Sequence, residues 1–95
     1  MRITEAQRKK LCELTYFALV DIRTLGWEGK AEQAADLADA FHNLPKDMWK
    51  DDFSLEQFRG LFLKDYQKKY PKDKGRNYLV MIDKVIAMGE DPSAN

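Results

Sequence analysis

The chain is short of most of the residues that carry chemistry: one cysteine, one histidine, five glycines and three prolines in 95 residues. A single thiol, Cys12, excludes an intrachain disulfide and suits a reducing cytoplasm. One Cys and one His cannot assemble a His/Cys zinc site within one chain. There is also no surplus of charge. Sixteen basic and sixteen acidic side chains cancel to zero, which excludes a globally basic nucleic-acid binder and leaves only local charge for such a role. No apolar run reaches the roughly 20 residues that a membrane span needs. The run Leu11–Val20, although preceded by Arg2, Arg8, Lys9 and Lys10, is interrupted by Glu13 and is followed by no Ala-x-Ala site, so it reads as a core helix and not a secretory signal. Neither a membrane nor a cofactor is expected as a partner.

What is present is a globular composition, 44% hydrophobic and 34% charged, long enough for one domain and one modest core. Apolar residues recur at helical spacing throughout, and no stretch alternates with the period of a strand. Thr4 and Gln7 fit a reciprocal capping box. Beyond it, Leu11, Leu14, Ala18, Ile22 and Leu25 form a stripe that Gly26 is placed to end in a left-handed turn. Cys12, Tyr16, Phe17, Leu19 and Val20 extend that stripe almost around the helix. A helix so apolar belongs in the centre of a bundle or under a second subunit.

A second helix is expected over residues 30–43, with Gly29 as N-cap, Pro45 preventing continuation, and Ala34, Leu37, Ala38 and Phe41 inward. A loop over Pro45–Phe53 then carries Trp49 and the acids Asp47, Asp51 and Asp52. Ser54 with Gln57 and Phe53 with Phe58 supply a second capping box and a hydrophobic staple. Phe58, Phe62, Tyr66 and Tyr70 repeat every four residues up to Pro71. The last helix carries Leu79, Ile82, Val85 and Ile86 inward and stops at Gly89, before a frayed tail over 90–95. The expectation is an all-α, single-domain, up-and-down bundle of about four helices near residues 5–25, 30–43, 55–70 and 77–88.

The segment Gly29-Lys-Ala-Glu-Gln-Ala-Ala-Asp-Leu-Ala-Asp-Ala-Phe-His-Asn-Leu-Pro45, with Trp27 just before it, resembles a stretch of small, uncharacterised bacterial helical proteins. The resemblance implies a bacterial or phage origin and a helical fold, and carries no activity.

Four features are candidates for function. Residues 59–76 hold seven bases (Arg59, Lys64, Lys68, Lys69, Lys72, Lys74, Arg76) against Asp65 and Asp73, a local charge of +5, interleaved with Tyr66 and Tyr70 and followed by Tyr78. Bases to neutralise phosphates beside rings on which bases stack suit nucleic acid or another anion. The bland alternative is that Lys68 and Lys69 complement the end of a helix dipole while the tyrosines face the core. Residues 28–56 hold eight acids, Glu32, Asp36 and Asp39 among them, against three lysines, a local charge of −5. Such segregation suits an electrostatically steered partner or a second copy, unless the two regions offset each other within one chain. Asp39 and His42, at i and i+3, could form a carboxylate–imidazole pair, but Ser54 and Cys12 sit in no nucleophile motif and no catalytic constellation converges. Trp49 is a candidate partner contact, whereas Trp27, between two glycines, is expected to plug the end of the bundle. Together these favour a non-catalytic interaction or self-associating module, a homodimer or a complex with another protein, over a small nucleic-acid-binding accessory protein. An enzyme is third.

Overall fold

The computed structural model describes residues 3–71 and 75–90. It is an all-α bundle with no strand among the described residues.

Helix α1 (Glu5–Trp27) is closed at its start by the expected box: the Thr4 hydroxyl accepts from the Gln7 amide N–H at 3.1 Å, and Gln7 Oε1 accepts from the Thr4 N–H at 2.8 Å. Leu11, Leu14 and Ala18 are fully buried along one face, continued by the partly buried Ile22 and Leu25. The helix does not end at Gly26. It runs through Trp27, and Gly29 is the residue that turns left-handed, with φ +77°. Lys30 N–H then bonds the Leu25 carbonyl at 2.9 Å and Gly29 N–H bonds that of Gly26 at 3.1 Å, the pair of bonds that satisfies the last carbonyls of a helix. Because Gly29 is consumed by this turn, the N-cap of α2 falls to Lys30, which makes no side-chain cap bond.

Helix α2 (Ala31–Phe41) buries Ala34, Leu37, Ala40 and Phe41, with Ala38 only partly covered. The expected loop after Pro45 begins instead with one helical turn, α3 (Leu44–Asp47), whose first turn holds the proline. Proline is tolerated there because first-turn N–H groups have no intrahelical acceptor. The turn carries Leu44 and Met48 into the core.

Helix α4 (Leu55–Phe62) begins at Ser54, whose hydroxyl accepts from the Gln57 N–H at 3.1 Å, one half of the expected box. Phe53 and Phe58 are both buried, as a staple requires. The helix then widens into a π-helical turn, Leu63–Gln67, closed by Lys68 N–H to the Leu63 carbonyl at 3.0 Å. Helix α5 (Tyr78–Glu90) is capped by Asn77, whose Oδ1 accepts from the Val80 N–H at 3.1 Å. Its buried residues are Tyr78, Ile82 and Val85, with Leu79 and Ile86 packed beside them.

Gly89 does not stop α5. A Cβ there would lie 2.3 Å from Gln7 Nε2. The buried Gln7 side chain crosses from α1 to donate to the Val85 carbonyl at 3.0 Å. The residue is therefore a point of close helix approach and not a terminator. Helix α1 packs on α2 and α5, and α4 with its π turn packs on the same two. That is the neighbour order of an up-and-down bundle, with Phe41 at its centre. Its ring lies 5.5, 5.8 and 5.2 Å from those of Phe58, Phe62 and Tyr78.

Candidate interaction site

The two charged regions meet within the chain. Asp36 on α2 accepts a hydrogen bond from the Tyr70 hydroxyl at 2.7 Å and faces Lys69 Nζ at 3.4 Å. The Tyr70 bond, with help from the Lys69 cation, holds the Asp36 carboxyl below its ordinary pKa. The same bond, with burial and the carboxylate charge behind it, pushes Tyr70 up to about 12.

Arg76 grips Asp21 of α1 through Nε at 3.1 Å and Nη2 at 3.2 Å, and its guanidinium lies 4.3 Å from the centre of the Phe17 ring. The bond to Asp21 raises the Arg76 pKa further above its ordinary value. The Tyr78 hydroxyl donates to the same carboxylate, and burial together with that bond moves its pKa far upward. Arg59 pairs with Asp83 of α5 at 2.6 Å.

Three of the seven bases thus fasten the bundle, while Lys64 and Lys68 remain exposed. Lys72 and Lys74 lie outside the described residues. Tyr66 and Tyr78 are buried and Tyr70 is half-buried, so the tyrosines lie largely inside the bundle.

Glu32 and Asp39 are exposed. The His42 ring meets the Asp39 backbone carbonyl, Nδ1 to O at 2.7 Å, and not its carboxylate. Around them opens a cleft of about 310 Å³ between the end of α2, the α3 turn and α4, lined by Asp39, Asp47, Asp52 and Asp65 with Lys50 and Leu61. Its carboxylates come from four separate stretches of chain, so no local pattern announces it. Among the described residues no three His, Cys, Asp or Glu side chains are arranged to hold a metal ion, and every buried side-chain nitrogen or oxygen has a partner.

Trp49 is 88% exposed in the turn after α3, beside a shallow cleft that includes Ile3, Arg8 and Met48. Arg8 Nη1 donates to the Met48 carbonyl at 2.7 Å, tying that turn to α1. Trp27 is not a plug. It is 74% exposed, with the Arg23 guanidinium 4.6 Å from its ring centre. The reason lies in the longer α1: extension past Gly26 puts Trp27 on the side of the helix opposite Leu11 and Leu14.

That side carries an ordered line of exposed residues. Cys12, Tyr16, Leu19, Arg23 and Gly26 follow one another at intervals of four, three, four and three residues, all exposed. Trp27 lies beside the last of them. Tyr16 and Leu19 are 62% and 60% exposed, flanked by the half-buried Phe17 and Val20. The Tyr16 and Phe17 rings touch, with centroids 5.6 Å apart. Alternating steps of four and three residues keep side chains on one line of a helix, the spacing by which paired helices mesh. The sequence shows that α1 is apolar on nearly every side, but which of those residues point outward is visible only once α2 and α5 have covered the other face.

No helix among the described residues is long and apolar enough to cross a membrane. Comparison with known protein families, with characterised proteins and with solved structures finds no match for this chain.

Proposed function

We propose that the protein is a non-catalytic, self-associating helical module that forms a homodimer through the outward face of α1. The observation that carries this reading is the outward face of α1, where Tyr16 and Leu19, and Trp27 beyond Arg23, are each more than half exposed. Scattered apolar residues are ordinary on a surface, but large ones grouped on one face of a helix suit a contact. Burying a Leu side chain contributes about 1.5–3 kcal/mol relative to leaving it in water, so a second copy supplies a driving force that the monomer leaves unused. Part of the charge is already used within one chain, where Asp36, Asp21 and Asp83 pair with the basic stretch. The same reading places the module in the cytoplasm, where the exposed Cys12 stays reduced.

Sedimentation equilibrium at low and high salt tests this. A dimer mass that persists in high salt and is lost in Leu19→Lys, with helical circular dichroism retained, is expected. A monomer mass for the unsubstituted chain at micromolar concentration in both salts sinks the proposal.

The alternative is nucleic-acid contact through 59–76, for which the exposed Lys64 and Lys68 speak. It calls for binding that weakens steeply between two salt concentrations.

A further inference from the structure

We infer that the π turn Leu63–Gln67 is a register device: it takes up one surplus residue at the end of α4, so that Lys69 and Tyr70 land on Asp36 of α2.

Spacing sets the need for it. Phe58, Phe62, Tyr66 and Tyr70 follow one another at intervals of four. An α-helix turns once in about 3.6 residues, so each four-residue step overshoots its predecessor by ~40°. Over the three steps from Phe58 to Tyr70 the overshoot grows to ~120°, a third of a turn. A regular helix would carry Tyr70 off the face that Phe58 lays into the core.

The four rings nevertheless share that face. Phe58, Phe62 and Tyr66 are buried, and the partly buried Tyr70 packs on the same core. The Tyr66 ring lies 5.7 Å from that of Phe62 and 4.9 Å from that of Tyr70. The correction comes from the π turn, where each hydrogen bond reaches back five residues and not four, as Lys68 N–H does to the Leu63 carbonyl at 3.0 Å. One residue is accommodated without advancing the face, which cancels about one residue's rotation, ~100°.

The seam with α2 is the result. Gln33 Nε2 donates to the Tyr66 hydroxyl at 2.8 Å, and the Tyr70 hydroxyl donates to Asp36 at 2.7 Å, with Lys69 Nζ 3.4 Å from the same carboxylate. These bonds and the burial of Phe58 and Phe62 are met together only with the extra residue taken up between them. The π turn thus joins the acidic and basic regions within the chain.

A surplus residue can be removed. In a regular helix, deleting one residue swings everything beyond it by ~100° and breaks its contacts. Without Lys64, which is exposed, Tyr70 stands eleven positions after Phe58, within ~20° of three whole turns. A plain α-helix then serves. Deletion of Lys64 is expected to keep helical circular dichroism and a denaturant midpoint close to that of the unaltered chain at the same protein concentration. Tyr70→Phe should lower the midpoint equally in both backgrounds, because the bond to Asp36 survives the deletion. Two controls have no residue to spare: deletion of the exposed Lys84 in α5, and one alanine inserted after Lys64. Each is expected to lower the midpoint several-fold more than deletion of Lys64 does. A deletion of Lys64 that costs as much as that of Lys84 overturns the register device. So does a deletion in which Tyr70→Phe loses the effect it has in the unaltered chain.

Discussion

The two sides of α1 have almost the same chemistry and opposite fates. Leu11, Leu14 and Ala18 on one side are sealed by α2 and α5, whereas Tyr16, Leu19 and Trp27 on the other are more than half exposed. Residue type does not separate them, since each side holds leucine and the larger aromatics are on the outside. What separates them is whether a neighbouring helix is tethered close enough to cover the face. The inner side is satisfied by the chain's own helices. The outer side is left exposed, so the same property that stabilises the fold on one side is unused by the single chain on the other.

The largest expected effect comes from truncating the inner side. Leu14→Ala should lower the unfolding free energy by about 3 kcal/mol, because a cavity is left in a packed core. A denaturant midpoint that does not move would erase the distinction between the two faces. The inner side also has a polar end, where Gln7 spans from the Thr4 cap to the Val85 carbonyl over Gly89. Gly89→Ala should cost about 1–3 kcal/mol, the range for leaving buried hydrogen-bonding groups unpaired. The added methyl group has to displace a side chain held by both caps and core. Combining it with Gln7→Ala should cost much less than the sum of the two, since both remove the same bridge.

On the outer side, Leu19→Ala should change the stability of the monomer by no more than about 0.5 kcal/mol. Its signature is different. The melting midpoint of the unsubstituted chain should rise with protein concentration, as a folded dimer requires, and that of Leu19→Ala should not. Equal concentration dependence in both would detach the outer stripe from assembly.

The smallest effect concerns the charged seam away from α1. Asp36, with its lowered pKa, contributes stability present above the ordinary carboxylate value of ~4 and lost as pH falls through its folded value. Tyr70, with its raised pKa, contributes stability present below ~10 and lost as pH rises through about 12. Asp36→Asn should therefore flatten both the acid and the alkaline limb of the stability–pH curve measured by denaturant titration. Unchanged limbs would show that the Asp36–Tyr70 bond does not couple to folding.

Much of the fold is legible in short stretches of sequence. Thr4 with Gln7 and Ser54 with Phe53 and Phe58 mark helix starts at the positions where helices start, because a cap and a staple are made within four or five residues. Helix ends are less legible. Gly26 and Gly29 both permit a left-handed turn, and only the path back into α2 selects the second. Pro45 forbids the continuation of one helix but equally opens another, and the burial of Leu44 and Met48 decides for the turn. Gly89 has the look of a stop, yet its function is to let Gln7 through from a helix some eighty positions earlier in the chain. Of the candidate contacts, the opposed charges of 28–56 and 59–76 are legible as segregation. That Asp36 meets Lys69 and Tyr70 is a fact of helix packing.

The helical class, the caps and the presence of more apolar surface on α1 than an amphipathic helix needs all follow from spacing along a single helix. Which line of α1 is covered and which faces water follows from the packing of the other helices. Coverage depends on where α2 and α5 lie, and their placement is set by contacts such as Gln7 with Val85 and Arg76 with Asp21, between residues far apart in the chain, which no local pattern records.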